Sequence, residues 1–180
     1  MNEELTLSKA IKKIACGYIL IHSAINIGVI DILPDWLGYY FMLVAIRKVR
    51  EEEESTGLLE PLVNILISWS AIVWGTKFIG WDLSAFPFTI LISIIVIYFN
   101  FQLLTNLANV AEKHESEKRK SILTLRTMET LLNTLLICMS YLEVSHGWMI
   151  AVGIIGLIAV IWISIVLFNL AAELENEVIA

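Results

Sequence analysis

"WMIAVGIIGLIAVIWISIVLFNL", residues 148–170, contains no charged side chain. At 1.5 Å of rise per residue an α-helix of this length crosses the roughly 30 Å of hydrocarbon in a bilayer. The stretch has no polar face to turn towards water, so it reads as a membrane-spanning helix. Across the chain 58% of residues are hydrophobic and only 17% charged, below the quarter or so charged that is usual for a soluble domain. A backbone in lipid must pair its own polar groups, so long apolar runs read as helices.

Five further runs give the same signal with less contrast. Segment one spans about Ile14 to Leu33, and segment two starts near Trp36 and fades at "AIRKVR" (45–50). Segment three covers about Leu62 to Ile79, segment four Phe86 to Leu104, and segment five Thr127 to Leu142. The expectation is an all-α polytopic membrane bundle of six transmembrane helices, with residues 1–180 as a single integral membrane domain. The start, "MNEELTLSKAIKK" (1–13), lacks the basic, short apolar and small-residue sections of a cleavable signal. Segment one is therefore expected to stay in the membrane.

Basic residues orient the bundle. With the N-terminus cytoplasmic, Lys9, Lys12, Lys13, Arg47, Lys48, Arg50, Lys113, Lys118, Arg119, Lys120 and Arg126 share the cytoplasmic side and only Lys77 lies opposite. That is a strong positive-inside asymmetry, and it predicts cytoplasmic N- and C-termini. "RKVREEEESTGLLEP" (47–61) then becomes a cytoplasmic connector, with Pro61 opening segment three. "NVAEKHESEKRKSIL" (109–123) is helix-forming, so segment four continues past the bilayer. Both are solvated connectors, or docking points for a soluble partner.

The opposite side centres on "VIDILPDWLGYYF" (29–41). Pro34 disfavours helix at Leu33 and suits the first turn of a new one. "DILPDW" (31–36) therefore reads as a tight helix-to-helix turn with Trp36 as an interfacial anchor. From Trp36 to Ile46 a helix is only about 16 Å long, which also allows the turn to be recessed in the membrane and to line a vestibule. Asp31, Asp35, Asp82, Glu143 and His146 would share this face with Lys77, Trp36, Trp81 and Trp148. The group is either an aromatic-walled acidic mouth suited to a cation or ring-bearing solute, or a scatter of solvated loop residues.

Polar residues inside the segments are costly in lipid and tend to face the bundle centre. Tyr18, His22 and Asn26 are four apart on one expected helical face. Asn64 and Ser68 repeat that spacing in segment three, as do Tyr98, Gln102 and Asn106 in segment four, with Asn100 off the stripe. In segment five Glu129 and Asn133 are four apart, and Arg126 stands one turn before Glu129 as its expected ion-pair partner. These stripes are either interhelical hydrogen bonds or the lining of a central binding cavity. The candidate ligand contacts are Tyr18, His22, Asn26, Asp31, Asp35, Asn64, Tyr98, Gln102, Asn106, Glu129 and Asn133. In segment six Ala151, Gly153, Gly156 and Ala159 are candidate helix-packing positions.

No phosphate-binding glycine loop, zinc-protease histidine pair, Gly-x-Ser-x-Gly elbow or potassium-channel filter occurs. Catalytic residues, metal ligands and cofactors are accordingly expected to be none, and nucleic acid is not an expected partner. Cys16 and Cys138 read as packing residues.

"INIGVIDILPDWLGYYFMLVAI" (25–46) resembles a recurring stretch of small uncharacterised multipass membrane proteins of Gram-positive bacteria. That resemblance implies a bacterial plasma membrane and carries no functional residue. The chain length and six-helix count also resemble the substrate-binding subunits of vitamin-uptake transporters. That family's coupling helix carries an Ala-x-x-x-Ala motif, whereas "KAIKKIACGYIL" (9–20) has Ala10 and Ala15 five apart.

The favoured expectation is small-solute binding or transport through a partly polar bundle centre open to the outer side. Tyr18, His22 and Asn26, helped by Asp31 and Asp35, would face the Tyr98 to Asn106 stripe. The alternatives are a non-transporting scaffold or regulatory subunit recognising another membrane protein, and a lipid-handling membrane enzyme. Expected partners are membrane lipids, a small molecule or cation, and a membrane protein or second copy of the chain.

Overall fold

Helix α1 (Leu7–His22) begins and ends earlier than the apolar run that announces it. Ala10, Ile11, Ile14, Ala15 and Tyr18 are buried, while Lys9, Lys12 and Lys13 keep partial exposure. This spacing of three and four marks one inward helical face, a pattern that average hydropathy over the segment does not register. Beyond His22, "SAINIGVIDIL" (23–33) is rich in β-branched residues around Gly28, a composition suited to extended backbone. Asn26–Ile27 (β1) and Ile30–Asp31 (β2) pair there as a two-residue antiparallel ladder, with Asn26 opposite Asp31. The ladder replaces the expected direct turn between helices. It also removes Asn26 from the helical face of Tyr18 and His22.

The structure, a computed structural model, describes residues 5–22, 26, 27, 30, 31, 34–81, 83, 88–142 and 144–179. Pro34, with φ −68° and ψ 136°, leads the chain into α2 (Asp35–Val49). A 3-10 turn, Glu54–Leu59, precedes α3 (Glu60–Phe78), and Pro61 lies in the first turn of α3. Helix α4 (Phe88–Lys113) continues beyond its apolar part, as the sequence suggested. Helix α5 (Lys118–Tyr141) starts at Lys118 rather than Thr127, and α6 (His146–Ile179) runs past Leu170. Apart from the short ladder, the described chain is all-α. Helices α3 to α6 are long and apolar enough to cross a membrane. Helices α1 and α2 are shorter, at 16 and 15 residues.

The helices form a ring with one weak seam. Helix α1 packs between α2 and α6, α5 packs between α4 and α6, and α2 backs onto α3, while α3 and α4 meet only sparsely. The tightest crossing is between α1 and α2. A Cβ added at Gly17 would stand 2.8 Å from the Gly38 carbonyl oxygen, and one added at Gly38 would stand 2.8 Å from the Gly17 oxygen. Two glycines facing each other let the helix backbones touch.

Burial is uneven along the ring. At the end that carries the basic residues, Ile11 and Ile14 of α1 meet Met42, Ile46 and Val49 of α2, with Leu103, Leu107 and Val110 of α4 and Leu167 and Leu170 of α6. All of these are fully or almost fully buried. Ser8 Oγ donates to the Ala171 carbonyl (2.7 Å), and Lys12 meets Glu175 (2.5 Å), tying α1 to the end of α6. Lys113 reaches Glu53 (3.1 Å) and Lys118 reaches Glu173 (3.1 Å). Exposed pairs of this kind add little stability, so the apolar contacts carry this end. Towards the other end, Ile72, Leu91, Ile94, Leu135, Ile154 and Ile158 are exposed. A water-soluble surface does not present so much contiguous apolar area.

Candidate functional site

A cavity of about 290 Å³ lies between α1, α5 and α6, bordered by His22, Glu129 and Asn133. Leu132, Leu136, Leu157 and Val160 supply much of its apolar wall, and Gly153 and Gly156 leave the α6 side open. His22 is the last residue of α1, and its Nδ1–H donates to the Tyr18 carbonyl 3.0 Å away. A carbonyl can only accept, so this bond places a proton on Nδ1. Nε2 of the neutral ring is left as an acceptor. The His22 ring is nearly parallel to Tyr18, at 6.4 Å and 14°.

Glu129 is 4% exposed, and Asn100 Nδ2 donates to its Oε1 at 2.9 Å. The expected ion pair with Arg126 does not form. A separation of three residues turns two side chains about 60° apart around a helix, and here Glu129 points inward while Arg126 points to the α4 flank. Arg126 Nη1 donates to Thr105 Oγ1 (3.0 Å), and the guanidinium lies 4.3 Å from the Phe101 ring centroid. Asn100, placed off the polar stripe by its spacing, is the α4 residue that reaches the centre. Tyr98, placed on the stripe, is 54% exposed. The rotation of α4 about its axis decides this, and spacing along one helix carries no information about it.

Two tyrosines extend the network. Tyr18 is fully buried and its hydroxyl has no protein partner. Tyr39 is buried edge-on against Phe99 at 6.2 Å, and both tyrosines lie within electrostatic reach of Glu129. Tyr39 had no place in the sequence reading, and Asn100 stood off the stripe. A signal existed for Tyr39, which stands four residues after Asp35 and beside the small Gly38 on the inward face of α2.

The remaining candidates separate. Asp35 borders a second cavity, of about 210 Å³, between α2, α3 and α4, with Tyr39, Trp69, Trp74 and Lys77. Trp36 meets Trp74 edge-on at 6.4 Å. Asn64 is exposed and donates to the Glu60 carbonyl one turn back (2.8 Å). Ser68 does the same to the Asn64 carbonyl, so these two face no central site. Asn106 is fully buried at the basic end. Its amide accepts from Thr56 N–H and Oγ1 (3.2 Å each) and donates to Ser55 Oγ (3.2 Å), with the Gln102 amide 2.8 Å away. Gln102 and Asn106 therefore hold the 3-10 turn, far from His22. The side chains of Asn26 and Asp31, together with Asp82 and Glu143, lie outside the described residues.

Among the segment-six positions, Ala159 is buried and Ala151 exposed, while a Cβ at Gly153 or Gly156 would meet open space. Within the chain the close helix approach falls at Gly17 and Gly38 instead. Comparison with protein families, with curated proteins and with solved structures returned no match.

Proposed function

We propose that the protein binds, and carries across a bacterial plasma membrane, a small solute seated between α1, α5 and α6. The observation that carries this reading is the convergence of His22, Glu129 and Asn133, from two helices, on one cavity. Cavities of this size with few polar groups in apolar walls are the usual form of small-molecule sites. Glu129 and His22 present acceptors to the cavity, so the favoured solute offers hydrogen-bond donors, as a small organic cation or amine does.

In this reading all six helices enter the membrane with both termini cytoplasmic, supported by eleven basic residues against Lys77. The mouth faces outward. His22 borders a cavity whose α6 lining, from Gly153 to Val160, begins about 10 Å along α6 from its start at His146. The end of α1 is thus set back from the tip of α6. That supports a recessed vestibule, since irregular backbone at membrane depth is tolerated where protein or water covers it.

Native mass spectrometry of the protein extracted gently from its own membrane tests the reading. The expected result is a stoichiometric small molecule that disappears in His22→Ala and Asn133→Ala variants that remain folded. A protein partner retained in place of any small molecule would transfer the assignment to a scaffold.

A further inference from the structure

A groove between α4 and α5 opens on the flank of the bundle, away from the His22 cavity. It encloses about 370 Å³ and is walled by Ile94, Ile97, Tyr98, Phe101, Thr134 and Ile137. Along each helix the lining residues extend for about 10 Å. The hydroxyls of Thr130 and Thr134 are turned back onto the carbonyls of Arg126 and Thr130 (2.8 Å each), so they leave the groove apolar.

Arg126 lies just beyond the α5 lining of the groove, on the side of the basic residues. It stands one turn before Thr130, and its guanidinium stacks on Phe101, itself part of the groove wall. Apart from the bond to Thr105, its donors have no partner among the described residues, and Nε is buried without one. Glu129 is turned away to Asn100. Arg119, two turns earlier on α5, is engaged by Glu112 at 3.1 Å. A half-buried guanidinium at the edge of a hydrocarbon-facing groove calls for an anion. A free anion would satisfy Arg126 and leave the groove unexplained. A phospholipid satisfies both, with phosphate at the cation and methylenes along the apolar walls.

We propose that this groove is a binding site for an anionic phospholipid, with its headgroup phosphate on Arg126 and one acyl chain between α4 and α5. The chain contributes apolar contact and the headgroup contributes selectivity.

The test uses the full-length protein in detergent with equal amounts of phosphatidylglycerol and phosphatidylcholine of identical chains, read by native mass spectrometry. Wild type retains phosphatidylglycerol over phosphatidylcholine by about fivefold, the effect of one interfacial basic residue. Arg126→Gln erases the preference and Arg126→Lys keeps it. Thr134→Trp, which fills the groove, lowers retention of both lipids. His22→Ala changes neither, which separates this site from the solute cavity. Equal retention of the two lipids by wild type would overturn the proposal, as would a preference that survives Arg126→Gln. So would unchanged lipid retention in Thr134→Trp, which decides the matter alone if Arg126→Gln fails to fold.

Discussion

The two ends of this bundle are built by different rules. At the basic end the helices close on one another, with Met42, Ile46, Leu103, Leu107 and Leu167 fully buried and Asn106 spending its amide on Ser55 and Thr56. At the other end they part, leaving two cavities, and the polar groups that remain keep unused hydrogen-bonding capacity. The Tyr18 hydroxyl is an example, buried and without a protein partner. A polar group satisfied by its own protein stabilises the fold, whereas one left open is available to a ligand at some cost in stability. The contrast separates the structural amides, Gln102 and Asn106, from the candidate functional ones, Asn100 and Asn133. Gln102, Asn106 and Asn133 read alike in the sequence, while Asn100 stood off the stripe.

Glycine substitutions break or sharpen this contrast most strongly. Gly17→Val drives a side chain into the α2 backbone and is expected to cost about 3 kcal/mol, seen as a large fall in the thermal midpoint in detergent. Gly156→Ala meets open space and gains helix propensity, so it should leave the stability unchanged or raise it by up to about 1 kcal/mol. Equal losses at the two sites would show that the open end is packed in solution.

Asn106→Leu comes next. It strands the buried Thr56 hydroxyl within the 3-10 turn and should cost about 2 kcal/mol in chemical unfolding. Asn133→Ala, in the cavity wall, should cost less than about 1 kcal/mol while abolishing solute retention. A destabilisation at Asn133 matching that at Asn106 would remove the distinction between the two amides.

Glu129→Gln preserves the size of the side chain and can still accept from Asn100. The expected stability change is within about 1 kcal/mol, with loss of any cationic solute measured by ligand-induced thermal shift. Undiminished binding of a cation by this variant would separate the carboxyl from the site.

The smallest effect is a pH dependence at the packed end. The hydrogen bond from Ser55, aided by Lys113, holds the Glu53 carboxyl below its ordinary pKa of 4.5. The folded state therefore releases this proton more readily than the unfolded chain does. The contribution is complete above the unfolded value and is lost as pH falls through the folded one. Ser55→Ala should lower the midpoint at neutral pH and lower it less in acid, where only the lost Asn106 contact remains. A difference of the same size at both pH values would assign the whole effect to that contact.

Legibility followed the same divide. The four long helices were readable because each contains a stretch long and apolar enough to cross a membrane, and "WMIAVGIIGLIAVIWISIVLFNL" needed no tertiary knowledge at all. Pro61 at the head of α3 and the continuation of α4 to Lys113 were equally local. What was missed has two causes. The Asn100–Glu129 bond and the Gly17–Gly38 crossing depend on how one element sits against another. For α1, β-branched residues around Gly28 outweighed an apolar average that cannot tell strand from helix.

Composition, run length and the position of the basic residues sufficed by themselves to make this chain helical, with four helices apolar enough to cross a membrane and one basic end. Those signals are sums over single residues, and lipid imposes them whatever the neighbours do. Which polar side chains meet was decided only by the tertiary structure, because a stripe at four-residue spacing defines a face without defining its direction. The rotation of α4 turned Asn100 inward and Tyr98 out. The packing of α1 against α5 and α6 brought His22, Glu129 and Asn133 onto one cavity.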